Sequence, residues 1–234
     1  MSDPAAQISA QLTATKSLTP NPTWLSAFLT TQRPTTPFPA LTQTACFRLL
    51  ASDITQSLTT TSSTCFPQDV HNVNLKERRL GGSIAVQVLA VEDMSKSRWE
   101  QIEAIEALER GEGTKGREII RVAATVEDDS AGATVQKGGG PHKLLLQDAA
   151  GRRVYGIELK GLEGVGLGMS IGCKMILKNT LVARGAVLLE PTTVTVLGGK
   201  IEELHKAWKE GRKAELKAAI EATEHEARVQ NDQS

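Results

Sequence analysis

The sequence predicts an α+β protein: an N-terminal three-helix bundle, a five-stranded barrel carrying a long insertion, and a C-terminal helix. Three observations predict it. Apolar residues recur at helical spacing through the first 80 residues, then nearly alternate in short β-rich runs from Gly81, then return to helical spacing after Lys200. Glycine-rich joints separate the short β-runs. Roughly 50 residues intervene between the first two of them, far more than an ordinary connection needs.

Each element has its local reason. Ile8 and Leu12 mark a weak first helix. Asn21-Pro22 opens a second, because asparagine caps a helix and proline suits its first position; Trp24, Leu25, Phe28 and Leu29 form its apolar face. Three prolines between Arg33 and Pro39 force a connection. A third helix is expected from Leu41 to Leu58, with Ala45, Leu49, Leu50 and Ile54 on its inner side. The run Thr59 to Thr64 ends the unit, so residues 1–80 are assigned to the helical bundle.

Five strands follow in residues 81–200. Ser83 to Val91 is the first; Lys143 to Gln147 and Arg153 to Leu159 are joined by Asp148-Ala149-Ala150-Gly151, a type I turn pattern. Lys174 to Lys178 is the fourth. Ala186 to Glu190 and Val194 to Leu197 make a fifth, interrupted by Pro191. Five strands in this arrangement suit an OB-fold barrel, whereas a sandwich would want about seven. The insertion loop, 93–142, holds a short helix with Trp99, Ile102, Ile105 and Leu108 at i+3 steps. It also holds a β-branched stretch, Ile119 to Val126, and loops at 111–116, 127–129 and 137–141. Residues 201–234 read as a helix with Ile201, Leu204 and Trp208 on one face and a Glu202–Lys206 pair. Gly211 weakens its middle, and a polar end from Glu221 is expected to fray.

Composition narrows the function. Lys+Arg and Asp+Glu both number 27, so the formal charge is zero, and a chain whose main task was gripping nucleic acid would carry a basic excess. Aromatics are only 3%, a thin supply of stacking surfaces for an OB barrel. Cys46, Cys65 and Cys173 have no zinc-ligand spacing and read as reduced thiols in an intracellular protein. No window resembles a signal peptide or approaches 18 apolar residues, so no membrane association is expected.

No catalytic constellation emerges. Gly164-Val165-Gly166-Leu167-Gly168 lacks the lysine and Ser/Thr of a phosphate loop and reads as a barrel turn. His225-Glu226 starts like a zinc-protease helix, but Val229 stands where the second histidine belongs. Glu127-Asp128-Asp129 reads as a solvated acidic loop. No enzyme, cofactor or metal is expected. Basic residues cluster at Lys76, Arg78 and Arg79, at Lys115, Arg117 and Arg121, and at Arg152 and Arg153. Solvated patches are the plain reading, and weak DNA contact through Arg78, Arg79, Arg152 and Arg153 is the sharper one. Tyr155 and Trp99 are the two aromatics a single strand could stack on, although Trp99 on an apolar helix face reads first as packing.

The residues also resemble a family. Gln87 to Ser95 looks like the close of the first strand in the RecQ-mediated genome instability protein 1 family, and Leu144 to Asp148 with Gly151 looks like that family's hairpin. Gly185-Ala186-Val187-Leu188-Leu189-Glu190-Pro191 followed by Val194-Thr195-Val196-Leu197-Gly198-Gly199 is similar to its strongest signature, with Val187 and Thr193 departing from the usual leucine and asparagine. The resemblance spans Trp24 to Leu204 and is similar to the compact fungal form. It implies a non-catalytic subunit that binds topoisomerase III and, through it, a RecQ-family helicase. That complex dissolves double Holliday junctions and works on DNA in the nucleus. It implies that the insertion modulates the topoisomerase's DNA gate, which directs attention to Trp99, Ile102, Ile105, Lys115 and Arg117. Lys174 resembles a family lysine associated with partner binding; from the residues alone it reads equally as a strand-edge lysine that blunts aggregation. The alternative is a single-stranded nucleic-acid-binding OB protein.

Overall fold

The computed structural model describes residues 3–33, 35–110, 112–115, 118–121 and 140–231. Helix α1 (Pro4–Lys16) starts where the Asp3 side chain accepts from the Ala5 amide, and it stops where Ser17 turns left-handed, φ 55°. Helix α2 (Pro22–Thr30) is capped by Asn21, whose side chain accepts from the Thr23 amide. Helix α3 (Phe38–Leu50) ends eight residues short of the expected Leu58. The reason is Asp53: its carboxylate caps a new one-turn helix, α4 (Ile54–Ser57), by accepting from the Thr55 amide, and a residue in that extended conformation cannot also continue α3. The bundle therefore has three helices plus a turn. Ile8, Leu12, Leu25, Phe28, Ala45, Leu49 and Ile54 fill its core.

After a short β1 (Arg78–Arg79) comes the long β2 (Ser83–Asp93). The insertion then supplies α5 (Arg98–Glu109), β3 (Glu112–Lys115) and β4 (Glu118–Arg121). The rest of the barrel is β5 (His142–Asp148), β6 (Arg153–Glu158), β7 (Lys174–Lys178), β8 (Leu181–Ala183), β9 (Ala186–Leu189) and β10 (Val194–Gly198). The barrel sheet runs β1-β8-β9-β6-β5-β2-β7-β10. Strand β2 serves two partners: its first half pairs with β7 and its second with β5, with an irregularity between Val88 and Ala90 where it changes course.

The expected fifth strand is present in two halves, and the break at Pro191 has a purpose. Strand β9 lies parallel on β6, while β10 lies antiparallel on β7. One chain segment thus joins both edges of the β6-β5-β2-β7 sheet and closes it. Two barrel strands, β1 and β8, were not expected: they are two and three residues long, too short to show a period. Strand β3 likewise forms within 111–116, read from its glycines as a loop, and pairs with β4. Of the β-branched stretch 119–126, only residues up to Arg121 lie within the described region.

Inside the barrel, Val86, Val88, Leu144, Leu146, Val154, Met175, Leu177, Val187 and Leu189 interleave, each buried side chain contributing about 1.5–3 kcal/mol. Phe66, Val70 and Leu80 join this core, so the segment before β1 packs with the barrel although the expected division fell at residue 80. Helix α6 (Glu202–Asn231) passes through Gly211 and continues where fraying was expected. Lys206 pairs with Glu210 rather than Glu202, which meets Lys200. Trp208 and Leu216 anchor α6. Among the described residues no helix is long and apolar enough to cross a membrane.

Candidate interaction site at the root of the insertion

The insertion leaves and re-enters the barrel at one ladder pair, Asp93 opposite His142. Asp93 is buried, and its carboxylate accepts from both the amide (2.9 Å) and the hydroxyl (2.6 Å) of Ser95, folding the chain sharply out of β2. Burial works to raise its pKa, but the Ser95 hydrogen bonds and the nearby His142 outweigh it and hold the carboxyl below its ordinary range. The Gly140 amide donates to Ser95 Oγ, and the Met94 amide to the Pro141 carbonyl, so both ends of the insertion are stitched together.

Behind this stitch lies a buried acid–histidine pair. Glu158 accepts from the His142 amide (3.0 Å), lies 2.6 Å from His142 Nδ1, and accepts from the Leu162 amide (2.6 Å). A carboxylate surrounded by donors is satisfied in place, which fixes the start of β5. Helix α5 begins three residues after the Asp93 turn with a full capping box: Ser97 accepts from the Glu100 amide, and the Glu100 carboxylate accepts from the Ser97 amide.

Helix α5 docks on α6 through side chains that the sequence reading passed over. Gln101 donates to the carbonyls of Asp93 and Lys96 and accepts from Arg212 of α6 at 3.0 Å. Lys213 reaches Glu106 (3.1 Å) and Glu109 (2.7 Å), and Arg98 donates to Thr223. These carboxylates hold Lys213 above its usual range through their hydrogen bonds. The Ser97-x-x-Glu100 spacing was the signal available in sequence; Gln101 and Arg212, more than a hundred residues apart, gave none.

The residues singled out from sequence scatter. On α5, each i+3 step slips about 60° around a helix that turns about 100° per residue, so three steps carry Leu108 to the opposite side from Trp99. Only Ile102 is buried, Ile105 is half-buried, and Trp99 and Leu108 stand 63% and 70% exposed. Trp99 is therefore not packing, as its spacing suggested, but a free apolar surface. With Met94 it puts large exposed apolar side chains beside the root, the kind of surface that partners cover, while Leu108 stands exposed on the other side of α5. Lys115 lies on β3, and Arg117 is outside the described residues.

The basic residues offered for DNA are mostly occupied. Arg78 grips Asp69 with two bonds of 2.9 Å, Arg79 donates to the Asn179 carbonyl, and Arg152 donates to the Phe66 carbonyl. Arg153 is exposed at the start of β6. Lys174 requires a larger correction. It lies in the closed sheet between β2 and β10, opposite Gln87 and Gly198, not at an edge. Its side chain is wholly buried, and Nζ donates to the carbonyls of Gly172 (2.7 Å) and of Leu50 (3.2 Å), the last residue of α3. It is a cation set at a helix C-terminus, where the dipole favours it. A partner surface cannot touch it.

Taken together, the chain is a closed OB barrel with an N-terminal helical unit seated on it and an insertion between its first two long strands. The family model RMI1, N-terminal OB-fold domain, matches residues 50–212, and RMI1, N-terminal helical domain, matches residues 12–57. RecQ-mediated genome instability protein 1 of Schizosaccharomyces pombe is 36% identical over 174 residues, covering 68% of this chain and 71% of that protein. The Xenopus laevis protein of the same name is 29% identical over 133 residues, covering 53% of this chain and 21% of its own length. The chain belongs to the RecQ-mediated genome instability protein 1 family. Membership places it in genome stability alongside RecQ, as a subunit of a family not known for catalysis.

Proposed function

We propose that this chain is a non-catalytic scaffold of a nuclear RecQ helicase–topoisomerase III complex, which binds the topoisomerase and tunes its DNA gate during double Holliday junction dissolution and decatenation. The observation that carries the reading, beyond membership, is the build of the insertion's root. Asp93, His142 and Glu158 pin the insertion to the barrel, and Gln101 and Arg212 pin α5 to α6. Exposed Trp99 and Met94 are carried beside that hydrogen-bonded base, and exposed Leu108 on the other side of α5. A hydrogen-bonded mount under exposed apolar side chains is what an element needs if it is to follow a moving partner.

The mechanism is a shift of a conformational equilibrium. A loop that binds the open gate better than the closed one prolongs opening, and only by its differential affinity. Size-exclusion chromatography with the cognate topoisomerase III tests the complex: co-elution supports it, and separate elution of folded partners sinks it. Deleting Gly111 to Gly140 is expected to leave the complex intact while changing decatenation rate severalfold; unchanged decatenation would remove the gate from the reading. Lys174→Ala belongs in the same assay as a control, since loss of co-elution there reports on the seating of the helices and not on a lost contact.

A further inference from the structure

Two threonines of the chain are followed by proline, Thr19 and Thr36, and no serine is. A hydroxyl residue before proline is the acceptor that proline-directed protein kinases select. The proline has no amide hydrogen to satisfy and biases the residue before it toward extended backbone, the form in which a kinase binds its substrate. The fold treats the two threonines differently.

Thr19-Pro20 is woven into the bundle. The Thr19 hydroxyl lies 3.2 Å from that of Thr13. The Thr19 carbonyl accepts from the Thr59 amide (2.9 Å), and the Pro20 carbonyl from the Thr59 hydroxyl (3.1 Å). Pro20 is buried and bridges to Leu58, and the Asn21 amide donates to the Ser57 carbonyl. A kinase needs several residues on both sides of the hydroxyl, so it could reach Thr19 only by pulling this segment off residues 57–59.

Thr36-Pro37 lies in the connection between α2 and α3. The Thr36 amide donates to the Arg33 carbonyl (3.0 Å), and the Pro37 carbonyl takes the first bond of α3, from Leu41 (3.0 Å). The Thr36 hydroxyl has no hydrogen-bond partner among the described residues. Thr36 is half-buried, and Pro37 is exposed and extended, φ −60° and ψ 142°. In the sequence a second proline, Pro34, stands two places before Thr36, where Thr19 has Ser17.

We propose that Thr36 is the phosphorylation site of a proline-directed protein kinase, and that Thr19 is closed to the same enzyme. The Thr36 hydroxyl oxygen attacks the γ-phosphorus of ATP and the bond to the bridging oxygen breaks. ADP leaves, and the hydroxyl proton passes to the kinase's catalytic carboxylate. The product carries about −1.5 to −2 charge just ahead of α3. Helices α1, α2 and α4 each have a side-chain cap, whereas Pro37 gives α3 none. The new anion therefore stands where the helix dipole favours it, with Arg33 in the same turn. The other end of α3 is the seated one, where the Leu50 carbonyl accepts from Lys174. Thirteen residues of helix separate the two ends by about 18 Å. Modification thus recharges the outer end of the helical unit without loosening its hold on the barrel, and offers a dianion to a basic partner surface. The kinase acts on this chain alone, so the inference does not depend on the topoisomerase reading.

The test is incubation of the full, folded chain with magnesium-ATP and a mitogen-activated protein kinase, with the phosphate located by fragmentation mass spectrometry. Phosphate is expected on Thr36, in excess over Thr19 on the order of tenfold or more. Thr36→Val is expected to abolish the product and Pro37→Ala to slow its formation about tenfold, because the kinase loses the proline it selects. Neither residue belongs to the bundle core, and circular dichroism confirms that each variant is folded. In the phosphorylated chain, amide exchange at Phe38 and Ala40 is expected to slow about threefold while β7 stays unchanged. An unmodified chain would overturn the proposal, as would phosphate on Thr19 or Thr35 in its place, or undiminished labelling of Pro37→Ala. Exchange that quickens in α3 and β7 together would overturn the claim that the barrel seat is left intact.

Discussion

Two junctions hold appendages to this barrel, and they are built in opposite ways. Where the helical unit meets the barrel, the contact is mainly close packing at very short range, with only Lys174 on the Leu50 carbonyl and Gln87 on the Ile54 amide as side-chain hydrogen bonds among those described. A Cβ on Gly199 would come within 2.4 Å of the Leu50 carbonyl oxygen. Small side chains, Ala85 and Ala149, with Ile176 pack under the helices. At the root of the insertion the contact is instead a chain of side-chain hydrogen bonds, from Ser95 to Asp93, between His142 and Glu158, and from Arg212 to Gln101. A close-packed junction fails all at once, whereas a hydrogen-bonded one can yield link by link. The first suits a fixed platform, the second a mount under an element that must respond to a partner.

The sharpest way to break this comparison is at Gly199. Its φ of +97° already excludes ordinary side chains, and the Leu50 carbonyl fills the space a methyl would need. Gly199→Ala is expected to cost on the order of 4 kcal/mol, by combining backbone strain with a clash that neither partner can relieve by turning a side chain. Urea unfolding measures it. A loss under about 1 kcal/mol would show that the junction is looser than its geometry.

Lys174 supplies the next largest effect and a pH signature. Replacement by methionine keeps the length but leaves the Leu50 and Gly172 carbonyls without their donor, for a loss of about 2 kcal/mol near neutrality. Burial, the largest influence, lowers the lysine to about 8 from 10.5; nearby Asp53 pulls the other way. The unfolded chain therefore binds more protons than the folded chain between those values, so the lysine's contribution to stability increases as pH rises from about 8 to 10.5, by up to something on the order of 3 kcal/mol. Cys173, raised by burial, titrates with the opposite sign, so the difference between wild type and Lys174→Met is the quantity to follow. That difference should widen with pH; a constant gap would mean the ammonium is not desolvated in the fold.

What the sequence revealed follows from the range over which each force acts. Caps, turns and strand periods are local, so Asn21-Pro22, the Asp148–Gly151 turn and the five longest strands were readable. Pro191 was legible as a break but not as the point where one segment passes from β6 to β7, because closure depends on pairings far apart in sequence. Lys174 was the largest misreading. A lysine on a strand is ordinarily exposed, and nothing nearby announces that Leu50, more than a hundred residues earlier, will offer it a carbonyl. The root of the insertion was half legible. Its length drew attention, yet Gln101, Glu158 and Arg212 carry no pattern until the fold brings them together.

The smallest predicted effect probes the hydrogen-bonded junction at its most local link. The Ser97 hydroxyl accepts from the Glu100 amide, and the reciprocal bond from Glu100 holds that carboxyl below its usual range. Ser97→Ala removes half of the box and is expected to cost about 1 kcal/mol. If this junction yields link by link, the loss should appear as faster amide exchange confined to α5, with the barrel amides of β2 and β5 unchanged. Exchange that rises equally through α5 and the barrel would instead show the root opening as one unit, and the contrast with the helical junction would collapse.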